Sequence, residues 1–410
     1  MSESSMKKKQ YLQSGKNAQG NPIGLYIHIP FCETKCPYCD FNTYSKLEIL
    51  IPNYITALIN EIKAWGDYLG NPGVDSIFFG GGTPSYLPQG DINRILSAVS
   101  ESFNIAYNAE LTLEANPGDL THDNLSSLLD AGINRLSIGF QSLEDPLLGI
   151  LGRRHSSEVA IEAYVNARDI GYENISVDLM YGISYQTMDD WRNTLSRLLS
   201  VATLPEHISL YCLTLEGGTP MEIQVSNGKM PKPDDDLAAD MYLLAEHMLH
   251  DAGYNHYEIS NWSRLGKESR HNMKYWLNMP YLGVGPGAHS YLNGVRFSNV
   301  KSPREYVSRL TTQKLLTVPK EQIDYVSVVD QSEYIGNDLE MAETMMLGLR
   351  LMMGIRKQEF LDRFNVSFMD VYGAQIKDLE SIGLLDYSGE YIRLTDRGRL
   401  LGNEVFLRFF

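Results

Sequence analysis

The sequence predicts an α/β protein whose first half is a parallel sheet of six β/α units and whose end is a smaller α-helical, winged-helix-like domain. Two observations support this prediction. From residue 24 to about residue 219, apolar runs of strand length alternate with amphipathic helical stretches. Beyond residue 338, helical stretches lead into a helix, a short hairpin and a final helix. Six consecutive β/α units build either an open sheet or a barrel, and periodicity does not distinguish the two.

The predicted strands are apolar runs that are followed by glycine or polar residues. Because crossovers between parallel strands are right-handed, the carboxyl ends of all six strands should lie on one face. Folds of this kind carry their active sites on that face. The six runs are, in chain order, "GLYIHIPF", "DSIFFGGG", "AELTLEAN", "NRLSIGFQS", "NISVDLMYG" and "HISLYCLTLE".

The helices between them are predicted from apolar residues that recur every three to four positions. In "PNYITALINEIKAWGDYL", for example, Ile55, Ile62 and Trp65 fall on one face. In "THDNLSSLLDAG", Thr121 is the expected N-cap and Gly132 lies near the helix end. The remaining helices are predicted at Asp91–Ser102, in "SSEVAIEAYVNARDIG", in "TMDDWRNTLSRLLS" and, after the linker "PKPDDD", in "LAADMYLLAEHMLHDAG".

The pattern divides the chain into four segments. Residues 1–22 are polar, without a secretory signal or a clear transit peptide, and we expect them to form a disordered tail. Residues 23–220 form the core, and residues 221–330 form a helical and irregular extension that carries the motif HNxxYW. Residues 331–410 form the winged-helix-like domain, which we interpret as a structural cap.

Composition limits the classes of function. Apolar residues make up 43% of the 410 residues, yet no apolar run reaches about 18 residues, so no membrane span is predicted. The net charge is −16 and no broad basic stretch occurs, which argues against a nucleic-acid partner. Three of the four cysteines crowd into one loop, a pattern that indicates metal or redox chemistry in a reducing, cytoplasmic compartment.

The cysteine loop "CETKCPYC" directly follows the first predicted strand and should therefore lie on the active face. It places Cys32, Cys36 and Cys39 in the spacing CxxxCxxC. Cys212 is far away in sequence, and we interpret it as a buried residue of the last strand. Structural zinc usually takes four protein ligands. A [4Fe–4S] cluster held by three cysteines leaves one iron open to a small molecule, so the pattern favours this cluster, with zinc as the alternative.

This loop, placed after the first strand of a parallel β/α array, resembles the radical S-adenosylmethionine (SAM) superfamily. The resemblance implies a radical-SAM partial (β/α)6 TIM-like barrel. It also implies that the open iron binds SAM and that an electron from the cluster cleaves the cofactor to a 5′-deoxyadenosyl radical. The protein positions the cofactor and excludes water.

Further motifs resemble the coproporphyrinogen III dehydrogenase group of that superfamily. They are "FGGGTPSYL", "LEANPG", "RLSIGFQS", "LGRRHS", "DLMYG", "HNMKYW" and "YLGVGPGAHS". Glu114, Gln141 and Asp178 are expected at the ends of the third, fourth and fifth strands. The resemblance implies that the three loop cysteines ligate the cluster and that SAM contacts Tyr26, Tyr38, Gly81, Gly82, Thr83, Glu114, Gln141, Arg153 and Asp178.

The group has two branches, and two features favour the branch of heme chaperones. The true dehydrogenases carry a further cysteine at the position of Phe41 and usually have a longer N-terminal region. The resemblance therefore implies a protein that binds heme or a porphyrin and delivers heme to apoproteins, with a reductant protein as a further partner and no catalytic residue assigned. The alternatives are an oxygen-independent coproporphyrinogen III dehydrogenase and a radical enzyme that acts on another substrate.

The motif HNMKYW supplies His271 as the candidate heme ligand. Imidazole is a common axial ligand of heme iron, and aromatic neighbours offer flat apolar surface to a macrocycle. The alternative is a histidine that packs an irregular loop over the barrel mouth. His289 is the reserve candidate, followed by His28, His155 and Met273.

Overall fold

The computed structural model describes residues 22–311 and 326–410, and its centre is one twelve-stranded sheet. The first six strands are parallel neighbours in chain order, as the alternation predicts. The predicted tail lies outside the described residues except for Pro22. The six strands are β1 (Ile23–Ile29), β2 (Gly73–Gly81), β3 (Asn104–Ala115), β4 (Arg135–Gln141), β5 (Ile175–Tyr181) and β6 (His207–Cys212).

Helices connect these strands, and the predicted ones begin close to where the sequence signals place them; the short helix Asp145–Ile150 is an addition. Thr121 caps its helix by accepting a hydrogen bond from the backbone N–H of Asn124, and Gly132 follows the helix with a φ of 99°. The first helix buries the predicted apolar face, including Ile62 and Trp65, against the sheet. The helices are α1 (Ile51–Leu69), α2 (Asp91–Ser102), α3 (His122–Asp130), α4 (Asp145–Ile150), α5 (Ser157–Ile170) and α6 (Met188–Leu198).

The segment predicted to be helical and irregular also adds strands to the same sheet. Most of these strands have only three to five residues and mix aromatic with polar side chains, so no alternation marks them in the sequence. The elements are α7 (Pro220–Ser226), α8 (Asp235–Asp251), β7 (Asn255–Glu258), β8 (Asn261–Ser263), α9 (Arg270–Trp276), β9 (Tyr281–Val284), β10 (His289–Leu292), β11 (Val295–Asn299), α10 (Pro303–Thr311) and β12 (Val329–Tyr334).

The strand order shows how the sheet encloses the site. It runs β12-β11-β10-β9-β1-β2-β3-β4-β5-β6-β8-β7, with β9 parallel to β1 and β8 antiparallel to β6. Among the strands in the described part of the chain, no ladder joins β12 to β7, so the sheet does not close. Side chains from all six central strands nevertheless line one interior cavity, so the sheet curls into the predicted partial barrel.

The C-terminal unit has its own apolar core. Its elements are α11 (Asn337–Gly348), β13 (Ile355–Arg356), α12 (Lys357–Phe364), α13 (Phe368–Ser381), β14 (Leu385–Tyr387), β15 (Tyr391–Leu394), α14 (Asp396–Leu400) and α15 (Gly402–Phe406). The strands form an antiparallel sheet in the order β13-β15-β14, which agrees with the winged-helix-like prediction. The final predicted helix is broken at Leu401 into two short helices. Over residues 22–311 and 326–410, no helix is both long and apolar enough to cross a membrane.

A buried carboxyl group ties α1 to the elements that follow β9. Glu61 is fully buried, and burial raises its pKa to about 7. It accepts hydrogen bonds from Trp65 Nε1 at 3.3 Å and from Asn299 Nδ2 at 2.7 Å. It also accepts from the Gly285 N–H at 2.8 Å and from the Tyr306 hydroxyl. One side chain therefore joins α1, the turn after β9, β11 and α10.

We predict that Glu61→Ala lowers the free energy of unfolding by about 3 kcal/mol or more, because its donors lose their buried acceptor. Urea denaturation followed by circular dichroism measures the change. Glu101→Ala removes an exposed ion pair with Lys63 and is the matched control, expected to cost at most about 1 kcal/mol. Equal stability of the two variants would contradict a structural role for the Glu61 network.

Candidate functional site

Backbone hydrogen bonds fold the cysteine loop back onto the carboxyl end of β1. The Cys32 N–H donates to the Tyr44 carbonyl at 3.0 Å, and the Tyr44 N–H donates to the Pro30 carbonyl at 2.7 Å. Within the loop, the Cys39 N–H donates to the Cys36 carbonyl at 3.1 Å. All three thiols are free of disulfides; Cys32 is buried and the other two are half-buried.

Polar groups from neighbouring strand ends contact the thiols. Thr83 Oγ1 donates to Cys32 Sγ at 3.4 Å, and Arg153 Nη1 donates to Cys36 Sγ at 3.6 Å. The thiolate is the form of cysteine that binds metal. In the part of the chain that the structure describes, no three metal-binding side chains are placed to hold a single metal ion. The thiols instead border a wider space.

That space is a cavity of about 460 Å³ along the carboxyl ends of the central strands. Small-molecule sites usually measure about 300 to 1,000 Å³, so a ligand of cofactor size fits here. The loop cysteines and all of the predicted SAM contacts except Tyr26 border this cavity. They are Cys32, Cys36, Cys39, Tyr38, Gly81, Gly82, Thr83, Glu114, Gln141, Arg153 and Asp178.

A second cavity of about 670 Å³ lies beside the first and shares Gly81 and Glu114 with it. Tyr26 borders this second cavity. Its hydroxyl makes a 2.9 Å hydrogen bond with Nδ1 of His28, which borders the cavity as well. Tyr26 therefore lies at the second cavity and not at the first.

Close backbone approaches shape the shared wall. A side chain at Gly81, whose φ is 109°, would lie within 2.5 Å of the His28 ring. A side chain at Gly82 would lie within 2.6 Å of the Phe31 carbonyl oxygen. Only glycine fits at these two positions. Gln141, the last residue of β4, has a φ of 65°, a strained backbone for a residue with a side chain and a feature that is common at functional sites.

Asp178 is held by a row of serines that sequence analysis did not single out. The sequence predicts Asp178 at the end of β5, but the strand continues to Tyr181, so Asp178 lies inside the barrel. Ser137 Oγ donates to it at 2.8 Å and Ser176 Oγ at 3.2 Å. In the register of the parallel strands, Ser137 of β4 lies opposite Ser176 of β5, and Asp178 of β5 lies opposite Ser209 of β6. Small polar residues at matching positions of successive strands were the signal in the sequence.

Glu114 is the second buried carboxyl group of the site. Its Oε2 accepts a hydrogen bond from the Gly81 N–H at 3.1 Å. Burial, together with the nearby charge of Asp178, raises the pKa of Glu114 to about 8. Glu114 is therefore mostly protonated at neutral pH in the free protein, and a cation that entered the cavity would favour its carboxylate.

Cys212 is not the buried strand residue that the sequence predicts, because its side chain is exposed. It is the last residue of β6 and borders the 460 Å³ cavity. The neighbouring strand β8 pairs only with the start of β6, from His207 to Ser209. The carboxyl end of β6 therefore extends beyond the ladder on that side, and its last side chain faces the cavity.

His271 is buried at the start of α9. Its Nδ1 is hydrogen-bonded to Ser76 Oγ at 3.1 Å and its Nε2 to the Tyr275 hydroxyl at 2.9 Å. Its ring stacks on Phe78 and borders an interior cavity of about 150 Å³. Burial lowers the pKa of His271 to about 3, so the ring is neutral. Both of its nitrogens are thus occupied within the protein.

The other candidate heme ligands lie in different surroundings. His28 is buried and uses Nε2 in a 3.0 Å hydrogen bond with the Asn42 carbonyl. His155 is buried and hydrogen-bonded to a backbone carbonyl, and Met273 is half-buried in α9. His289, at the start of β10, is exposed and borders the 670 Å³ cavity.

Comparison with known proteins defines the class. Residues 26–198 match the model of the Radical SAM superfamily, and residues 337–401 match that of the HemN C-terminal domain. The fold is similar to that of coproporphyrinogen III oxidase (HemN) from Escherichia coli, with a TM-score of 0.82 and 22% identity, over 100% of this chain and 93% of that chain. The chain is a radical SAM protein, which confirms the resemblance inferred from the cysteine loop.

Curated relatives define the family within this class. The chain is 36% identical to the heme chaperone HemW of Bacillus subtilis, over 94% of this chain and 98% of the relative. It is 35% identical to HemW of Lactococcus lactis, over 95% of this chain and 97% of the relative. It is 38% identical to the mouse mitochondrial radical S-adenosyl methionine domain-containing protein 1, over 89% of this chain and 82% of the relative. The chain belongs to the HemW family.

We predict that the affinity of the chain for SAM rises as the pH increases through about 8. Glu114 pairs with a cation only as a carboxylate, and its deprotonation requires less free energy as the pH approaches its pKa. Isothermal titration calorimetry on cluster-reconstituted protein, between about pH 6.5 and pH 9.5, measures the effect.

Glu114→Gln is the control for this prediction, because it cannot ionise. The amino group of SAM also titrates, at a pKa of about 8. The contribution of Glu114 is therefore the difference between the pH profiles of SAM affinity for the wild-type protein and for Glu114→Gln. Parallel profiles would contradict the prediction.

Proposed function

We propose that this chain binds heme and delivers it to apoproteins, and that it carries a [4Fe–4S] cluster with bound SAM. The observation that supports this proposal most is its similarity, over nearly the full length of both chains, to proteins named heme chaperone HemW. The cavity of about 670 Å³ beside the cysteine loop offers space for a ligand larger than the cofactor.

The donor set of the loop fits the cluster. Cys32, Cys36 and Cys39 would hold it, and the loop offers no fourth cysteine, which leaves one iron for a small molecule. When bound, the cluster supplies one electron for cleavage of the sulfonium of SAM. Arg153 suits the carboxylate of SAM, and Glu114 suits its cationic groups. The partners are then heme, the recipient apoproteins and a reductant protein, in a compartment that keeps thiols reduced, such as the cytoplasm.

The alternative function is oxygen-independent coproporphyrinogen III dehydrogenase. The observation that favours it is the assembly of the predicted SAM contacts around one cavity. Phe41 favours the chaperone function, because the dehydrogenases carry a further cysteine at this position. His271 stays the sequence-based candidate for the heme ligand. Its use as a ligand requires that one of its two hydrogen bonds be broken.

We predict that Cys36→Ser abolishes the absorbance at about 400 nm. It should also lower the iron content of anaerobically reconstituted protein well below about four iron atoms per chain. Cys212→Ser is the matched control, because Cys212 borders the same cavity but lies outside the loop. It should keep both signals. Stoichiometric zinc without this absorbance in the wild-type protein would refute the cluster.

The proposed function is tested under argon on protein with a reconstituted cluster. One sample is loaded with heme and mixed with an apoprotein whose activity requires heme. A parallel sample receives dithionite, SAM and coproporphyrinogen III, and the oxidised porphyrins are separated by chromatography. We expect heme-dependent activity in the first sample and no protoporphyrin in the second. Protoporphyrin in the second sample with no transfer in the first would identify a dehydrogenase.

A further inference from the structure

The histidines of the barrel differ in one property that decides whether they can bind iron. An axial ligand must present an imidazole nitrogen with a free lone pair. His28, His207 and His271 each use both ring nitrogens in hydrogen bonds within the protein. His289 differs, because no group in residues 22–311 or 326–410 is hydrogen-bonded to either of its nitrogens. Its ring is therefore available to a ligand.

The cavities next to these histidines differ in size as well. His271 borders an interior space of about 150 Å³, below the range of about 300 to 1,000 Å³ that is usual for small-molecule sites. His289 borders the cavity of about 670 Å³, which lies within that range. The space beside His289 is therefore of the usual size for a ligand site, and the space beside His271 is below that size.

The larger cavity also has the walls that a porphyrin requires. Tyr44 and Tyr281 border it, and Phe41, whose side chain is 66% exposed, lies at its edge. Aromatic faces of this kind pack against a flat apolar ring. Lys35 and Lys301 supply positive charge at the same cavity, which suits carboxylate side chains of the ligand.

We propose that heme binds in this cavity with His289 as its axial ligand and with its propionates paired to Lys35 and Lys301. This inference rests on the proposed heme-binding function and deepens it. Burial, together with the nearby charge of Lys301, lowers the pKa of His289, so the ring is neutral near pH 7. Asp40 and Glu114 also border the cavity. Glu114 is mostly protonated at neutral pH, so the two lysines outnumber the one carboxylate there.

The test is a heme titration of the full chain with its cluster reconstituted, followed by the difference spectrum in the Soret region. His289→Ala should shift the Soret band and weaken heme binding by about tenfold or more. Added imidazole should restore the wild-type band, because it replaces the missing ligand. His289→Gln, which keeps a polar side chain of similar size, should behave like His289→Ala, and an unchanged circular dichroism spectrum separates ligand loss from misfolding.

Two controls distinguish the outcomes. His247→Ala removes an exposed histidine on α8 that borders neither cavity, and it should bind heme as the wild type does. A wild-type spectrum and affinity in His289→Ala, with loss of both in His271→Ala, would overturn the inference and leave the proposed function intact. Absence of saturable heme binding in the wild-type chain would overturn the proposed function, and the inference with it.

Discussion

The parallel register of the six central strands is the constraint on which the rest of the structure depends. Each right-handed crossover returns the chain to the same end of the sheet, so every strand terminates on one face. The cysteine loop after β1, Glu114 near the end of β3 and Gln141 at the end of β4 therefore meet at one cavity. The glycines at the end of β2 allow its backbone to approach β1 closely, and Gly81 lies in the wall that this cavity shares with its neighbour.

Hydrogen bonding of buried polar groups decides which side chains remain available. A buried polar atom without a partner is costly, so buried histidines and carboxyl groups find partners inside the protein. Glu61 satisfies its oxygens with donors from three other elements, and His271 satisfies both nitrogens with Ser76 and Tyr275. These groups hold the fold together. His289, which borders the 670 Å³ cavity, has no hydrogen-bond partner for its ring among residues 22–311 and 326–410.

The strands added after residue 255 create the second cavity. Because β9 pairs with β1 on the side opposite β2, the turn that leads into β10 stands beside the cysteine loop. The two cavities share Gly81 and Glu114, so ligands bound in both would contact common residues. A cofactor in the first cavity and the proposed heme in the second would therefore be linked through one wall of the barrel.

The sequence by itself determined the six β/α units, the caps such as Thr121, and the loop that carries Cys32, Cys36 and Cys39. These features are local, since periodicity, capping residues and cysteine spacing are all read within a few turns of chain. Only the tertiary structure decided the depth of Asp178, the exposure of Cys212 and the added strands β7 to β11. The partners of His271 are a further example, because Ser76 lies 195 residues away from it in the chain. Burial and hydrogen-bond partners depend on which distant strands and helices meet, and no local pattern records that.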